Sequence, residues 1–227
     1  GIATKYPSGH MITSQIEHLS VLETMKALEK QGFKITYLKP NKEGIIDPKE
    51  VEKSITKHTI IVSIMHANNE LGTINDIESI ATICKKNNVA FHTDAVQSFC
   101  KIPINMTNVS LLTASAHKLH GPKGIGLLYI KKSIKITPLF TGGGQELELR
   151  PSTLNTPAIV GFAKATELFT PEKIQTMKEL KNYFIQEVIK IKGTKINTSL
   201  THALPNIINV FFSNTDGVYS GKNLLHT

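Results

Sequence analysis

The sequence predicts an α/β protein built on a mostly parallel, doubly wound sheet, and two observations carry that reading. Short β-rich apolar runs at residues 10–13, 33–38, 59–65 and 89–93 alternate with helix-periodic stretches, the spacing of βαβ units. The run 59–65 is apolar nearly throughout, as expected of a central strand covered on both faces. In such sheets ligands bind beyond the carboxyl ends of the strands. The polar residues that follow each run are therefore the candidates for chemistry.

Taken in order, residues 1–10 read as the tail of a helix and a loop, followed by the first strand. Ser14-Gln15-Ile16-Glu17 has the form of a capping box, which predicts a helix starting there. Val21, Met25 and Leu28 mark its buried face and Gly32 ends it. After the strand 33–38, Asp47-Pro48 opens a short second helix. The central strand is followed by a polar loop, 66–73. Asp76 starts the next helix, through Ile80, Ile83 and Cys84. Runs at 109–113 and 126–130 predict two more strands joined by a tight turn. Thr156-Pro157 and Thr170-Pro171 start helices. The second of these presents Met177, Leu180, Phe184, Val188 and Ile191 on one face, and a strand at 206–212 follows. The expected organisation is a ligand-binding domain over 1–160, connecting helices over 161–200, and the start of a small domain over 201–227. Because the chain does not begin with Met, it is expected to be partial.

The turn between the runs 109–113 and 126–130 holds Ser115, Ala116, His117 and Lys118, closed by Gly121-Pro122. Small residues there let backbone approach a ligand, and a lysine on a partly buried ledge loses hydration. Its neutral amine then becomes a nucleophile able to form a Schiff base. The preceding strand ends in Asp94, with Gln97 just beyond. By topology the clusters 66–72, 94–97 and 115–118 face one crevice.

Composition narrows the function classes. The chain has 227 residues, 40% hydrophobic and 19% charged, with a formal charge of +8; that is ordinary globular composition. The lysines are scattered rather than striped and there is no Trp to stack bases, so nucleic-acid binding is not expected. The apolar runs are too short to span a bilayer, and no signal peptide is visible. Cys84 and Cys100, without CxxC spacing, point to a reducing, cytoplasmic setting. His117-x-x-His120 lacks a HExxH context, so no metal site is expected. Gly124-x-Gly126 leads into a strand and does not make a dinucleotide fingerprint.

An ordered set of stretches carries a family resemblance: Ile12-Thr13-Ser14 to His18, 62–72 with His66-Ala67-Asn68-Asn69-Glu70, and His92-Thr93-Asp94-Ala95-Val96-Gln97-Ser98. His117-Lys118 through Tyr129, Gly142-Gly143-Gly144, Arg150 to Pro157 and Pro205 to Val210 complete it. The chain resembles the cysteine desulfurases of the class V aminotransferase group, fold-type-I pyridoxal-phosphate enzymes. The resemblance implies the three-layer, mostly parallel large domain of that fold and the start of a small α+β C-terminal domain. It implies pyridoxal 5'-phosphate on Lys118 as a Schiff base, with Lys118 moving protons afterwards. Asp94 would pair with the pyridine nitrogen, and Gln97 and Asn69 would bond around the phenolic oxygen. His18 would stack on the ring and move protons, while Ser115 and His117 would bind the phosphate. Thr153 would reach a partner subunit's phosphate in a homodimer, with Arg150 near the same interface. The implied substrate is L-cysteine, and the implied sulfur acceptor an iron–sulfur scaffold or another acceptor protein. In the family the persulfide cysteine lies beyond the stretch matching 205–212, and no cysteine follows Cys100 here. Two alternatives remain: another class V enzyme, such as a selenocysteine lyase or aminotransferase, or an inactive chain that binds only cofactor or a partner.

Overall fold

The computed structural model describes residues 1–214 and 217–218. Its first strand, β1 (His10–Ser14), leads into helix α1 (Leu19–Lys30), and β2 (Lys34–Leu38), α2 (Pro48–Ser54) and β3 (Thr59–Ser63) follow. Next come α3 (Ile77–Lys86), β4 (Ala90–Asp94), β5 (Leu111–Ser115) and β6 (Gly126–Ile130). These six strands form one sheet in the order β2-β1-β3-β4-β5-β6. All neighbours pair parallel except β5 with β6, which is antiparallel. The expected α/β class with a mostly parallel sheet is what is found.

Successive strand residues point to opposite faces, and each face has its own apolar layer. Met11 packs with Met25 and Phe33, and Val21 and Leu28 of α1 join them. The other face carries Ile12, Val62, Phe91, Leu112 and Ala114 against Val51 of α2 and Ile77, Ile80 and Cys84 of α3. Helix α4 (Thr156–Glu167) adds Phe162 and Ala165 to this second layer. Phe162 meets Phe99 edge-on, with ring centroids 6.2 Å apart. Helix α4 also backs the turn after β5: a Cβ on Gly121 would lie 3.1 Å from that of Ala165.

Three sequence expectations are corrected. The Ser14–Glu17 pair forms a real side-chain bond of 2.6 Å, yet no helix starts there. Ser14 is the last residue of β1, and α1 begins at Leu19 with His18 as its N-cap. Helix α5 (Pro171–Val188) ends before Ile191. Of its expected apolar face only Val188 is buried, while Leu180 and Phe184 stay exposed. Finally, a three-stranded sheet of β7 (Thr194–Ile196), β8 (Val210–Asn214) and β9 (Gly217–Val218) starts within the stretch read as connecting helices. Its strand begins at Val210 rather than 206. Residues 215–216 and 219–227, within the expected small-domain start, lie outside the described residues. No helix among the described residues is long and apolar enough to cross a membrane.

Candidate active site

Because β1, β3, β4 and β5 run parallel, their carboxyl ends share one edge of the sheet. The segments leaving them are tied to each other. His66 donates its backbone N–H to the Asp94 carbonyl, and Ala95 donates to that of Thr113, both at 2.9 Å. Asn68 Nδ2 donates to Ile16 O at 2.8 Å, joining the loop after β3 to the turn before α1. Asn68 Oδ1 accepts from the Glu70 and Leu71 N–H groups. Gly72, at φ 75°, closes this loop where a Cβ would sit 2.9 Å from Ile207. Asn69, the residue singled out from sequence, is half-buried beside it.

Asp94 ends β4 with 8% of its surface exposed. Its Oδ1 accepts the Val96 N–H at 2.8 Å. Burial pushes its carboxyl above the usual range, and the Val96 bond and the nearby His18 oppose that shift. Exposed His18 caps α1, its Nδ1 accepting the Ser20 N–H at 3.2 Å. Gln97 is half-buried in the turn after β4.

Ser115 closes β5, and a single 3-10 turn (Ala116–Leu119) presents His117 and Lys118. Lys118 is exposed, not on the partly buried ledge expected from its small neighbours. Ala114 and Ala116 are sunk into the core, Ala116 completely, while Ser115 is half-buried and Lys118 stands in the open. His120 at φ 61° and Gly121 then end the turn. Thr153 is exposed on a separate segment, and the described contacts do not bring it to the others. Arg150 stands over the Phe140 ring at 5.6 Å and bonds the Pro151 carbonyl.

Three buried groups at this edge carry no individual role in the sequence reading, although His66 belongs to the candidate cluster 66–72. Glu17, 5% exposed, accepts the Ser14 hydroxyl at 2.6 Å and the Met65 N–H at 3.0 Å through Oε1. Its Oε2 has no partner among the described residues. Burial raises its pKa to about 7, which those two bonds oppose and Asp94 reinforces. His66, 5% exposed, has an orphaned Nδ1 and is pushed down to about 4 by burial. Lys101 is 3% exposed despite its charge. Glu17 carried a signal, since it adjoins His18, but its helix-capping pattern hid it. A fourth group lies below the edge: His92 bridges Ser63 Oγ at 2.8 Å and Thr113 Oγ1 at 3.3 Å, and burial lowers its pKa to about 4. A cavity of about 700 Å³ between His10, Lys34 and Thr59 opens at the opposite, amino ends of the strands.

Comparison with known proteins converges on one family. Residues 2–226 match the family described as aminotransferase class-V. The chain is 48% identical over 214 residues to a protein named cysteine desulfurase IscS from Dictyoglomus turgidum, covering 92% of this chain and 54% of that protein. A mitochondrial cysteine desulfurase of Saccharomyces cerevisiae is 40% identical over 215 residues, 92% of this chain and 43% of the relative. The structure titled SspA in complex with cysteine superposes with a TM-score of 0.87 at 41% identity, covering 96% of this chain and 62% of that one. The chain thus spans about half the length of the curated relatives it matches. With a match along nearly its whole length, the chain belongs to the aminotransferase class-V family.

Proposed function

We propose that this chain forms the cofactor-holding part of a pyridoxal-phosphate-dependent cysteine desulfurase, which converts L-cysteine to L-alanine and passes the sulfur on as a persulfide. The observation that supports it most is the meeting of Asp94, Gln97, His18 and Lys118 at one sheet edge, in a chain 48% identical to a protein of that name. A solved relative binding cysteine supports the substrate. An iron–sulfur scaffold or another acceptor protein would receive the sulfur.

The residues present fit the cofactor. Asp94 is a buried carboxylate whose Oδ1 is held by Val96, which leaves Oδ2 to accept a proton-bearing ring nitrogen. When bound, pyridoxal phosphate supplies an electron sink for the substrate α-carbon. Asp94 holds the ring nitrogen protonated by its nearby negative charge. The exposed Lys118 amine would hold the cofactor through its carbonyl and would be the group that moves the proton at the substrate α-carbon. Gln97 and Asn69 would hold the cofactor at its phenolic oxygen, His18 would lie against its ring, and Ser115 and His117 would hold its phosphate. Thr153 serves the phosphate of a second copy in a homodimer. Borohydride reduction of the holoprotein is expected to fix the pyridoxal group on Lys118; peptide mapping to Lys123 or Lys101 instead would overturn the assignment.

Sulfur removal needs an accessible thiolate to attack the substrate sulfur, and neither cysteine described here supplies one. Cys84 is fully buried, its thiol pushed up to about 12 by burial. Cys100 is half-buried in an apolar groove with Phe99, Ile102 and Leu112, and burial raises its thiol too. Cys84→Ala and Cys100→Ala are therefore expected to leave alanine formation by the full enzyme unchanged. Sulfide release abolished by Cys100→Ala would place the nucleophile there.

A further inference from the structure

The segment leaving β4 carries a lysine that this chemistry does not use. Lys101 Nζ donates to the Gln97 carbonyl at 2.9 Å and to the Lys118 carbonyl at 3.2 Å. It stands 5.8 Å from the centroid of the Phe169 ring, a contact that favours a cation. No carboxylate pairs with it among the described ion pairs. Burial, reinforced by the charge of Lys118, pushes its pKa down to about 8. Burying an ammonium without a counter-ion is costly, and a methionine would fill the space without that cost. What only the amine provides is two hydrogen bonds, one to each of two neighbouring segments.

Those segments need a tie. The register of β4 with β5 ends at Asp94 and Thr113, and the Ala95 N–H bond to the Thr113 carbonyl is the last backbone tie between them among the described residues. Beyond that, Gln97 lies in one irregular segment and Lys118 in another. The Lys118 carbonyl sits at the end of a single 3-10 turn, where carbonyls lack helical partners.

We propose that Lys101 is a positioning residue for Lys118: it fastens the Lys118 carbonyl to that of Gln97, setting the turn that bears the reactive amine against the segment that bears Asp94. The proposal rests on the pyridoxal-phosphate reading of the site. A reactive group displaced by an ångström loses rate more than binding, so the effect falls on turnover.

The test uses the full-length holoenzyme with Lys101→Met, Lys101→Arg and wild type. Lys101→Met is expected to lower kcat on the order of 10–100-fold with KM little changed. It should also alter the visible absorption of the bound cofactor and reduce the fraction trapped on Lys118 by borohydride. Lys101→Arg, which keeps a cation with several donors, should restore most of each. If Lys101→Met does not fold, Lys101→Gln takes its place under the same readouts. Wild-type turnover per bound cofactor, with unchanged absorption and trapping, would overturn the proposal alone. Failure of wild type to trap cofactor on Lys118 would overturn the cofactor reading and this proposal with it.

Discussion

Asp94→Asn in the full-length enzyme is expected to slow turnover a hundredfold or more while the fold survives. The substitution keeps the shape and leaves a side-chain oxygen to accept the Val96 N–H, at 2.8 Å in the wild type. It removes only the negative charge. That charge sits on a carboxylate 8% exposed, where opposite charges interact far more strongly than in water. The native protein bears the cost of burying it, as the raised Asp94 pKa shows. Stabilisation by such a fixed charge is worth on the order of a few kcal/mol, each 1.4 kcal/mol being about tenfold in rate. Single-turnover measurement of α-proton removal, with thermal unfolding as the folding control, decides it. Unchanged turnover would remove Asp94 from the mechanism.

The residues at the strand ends were legible because topology alone sends parallel strands to a common edge. Asp94, Gln97 and the turn at Lys118 follow from that rule, and the limits of the six strands of this sheet moved by only a residue or two. What could not be read is how side chains far apart in sequence cover one another. Lys101 looks like any surface lysine until Phe169, 68 positions later, is placed over it. Lys118, in contrast, is expected from its small neighbours to be sheltered and is open. The Ser14–Glu17 pattern misled for a local reason. The two side chains do meet, but through a direct Ser14 hydroxyl to Glu17 carboxylate bond rather than the side-chain-to-backbone pair of a capping box, and they join the end of a strand to a turn that precedes the helix by two residues. Periodicity in α5 was real as sequence, yet Leu180 and Phe184 have no covering element among the described residues. The same limit applies to Thr153, whose expected role lies with a second subunit.

The stability of the protein is expected to carry an unusual pH dependence from Glu17, which Glu17→Gln should abolish. Its pKa is raised from 4.5 to about 7, so the folded state prefers the proton-bearing acid. The resulting penalty is absent below pH 4.5, grows as pH rises toward 7, and is complete above it. A shift of this size corresponds to on the order of 3 kcal/mol. His66 and His92, both lowered from 6.5 to about 4, act with the opposite sign. Each disfavours its charged form, so stability is lost as pH falls from 6.5 to 4, by a comparable amount per ring. Lys101 titrates near 8 and adds little slope below that. Glutamine keeps an oxygen for the Ser14 hydroxyl and the Met65 N–H, while remaining neutral beside Asp94. Urea unfolding of both proteins at pH 5, 6, 7 and 8 should show Glu17→Gln gaining on wild type by about 3 kcal/mol across the range. The loss below pH 6, owed to the two histidines, should be common to both. A stability difference that stays flat from pH 5 to 8 would show that Glu17 keeps an ordinary carboxylate pKa at this edge of the sheet.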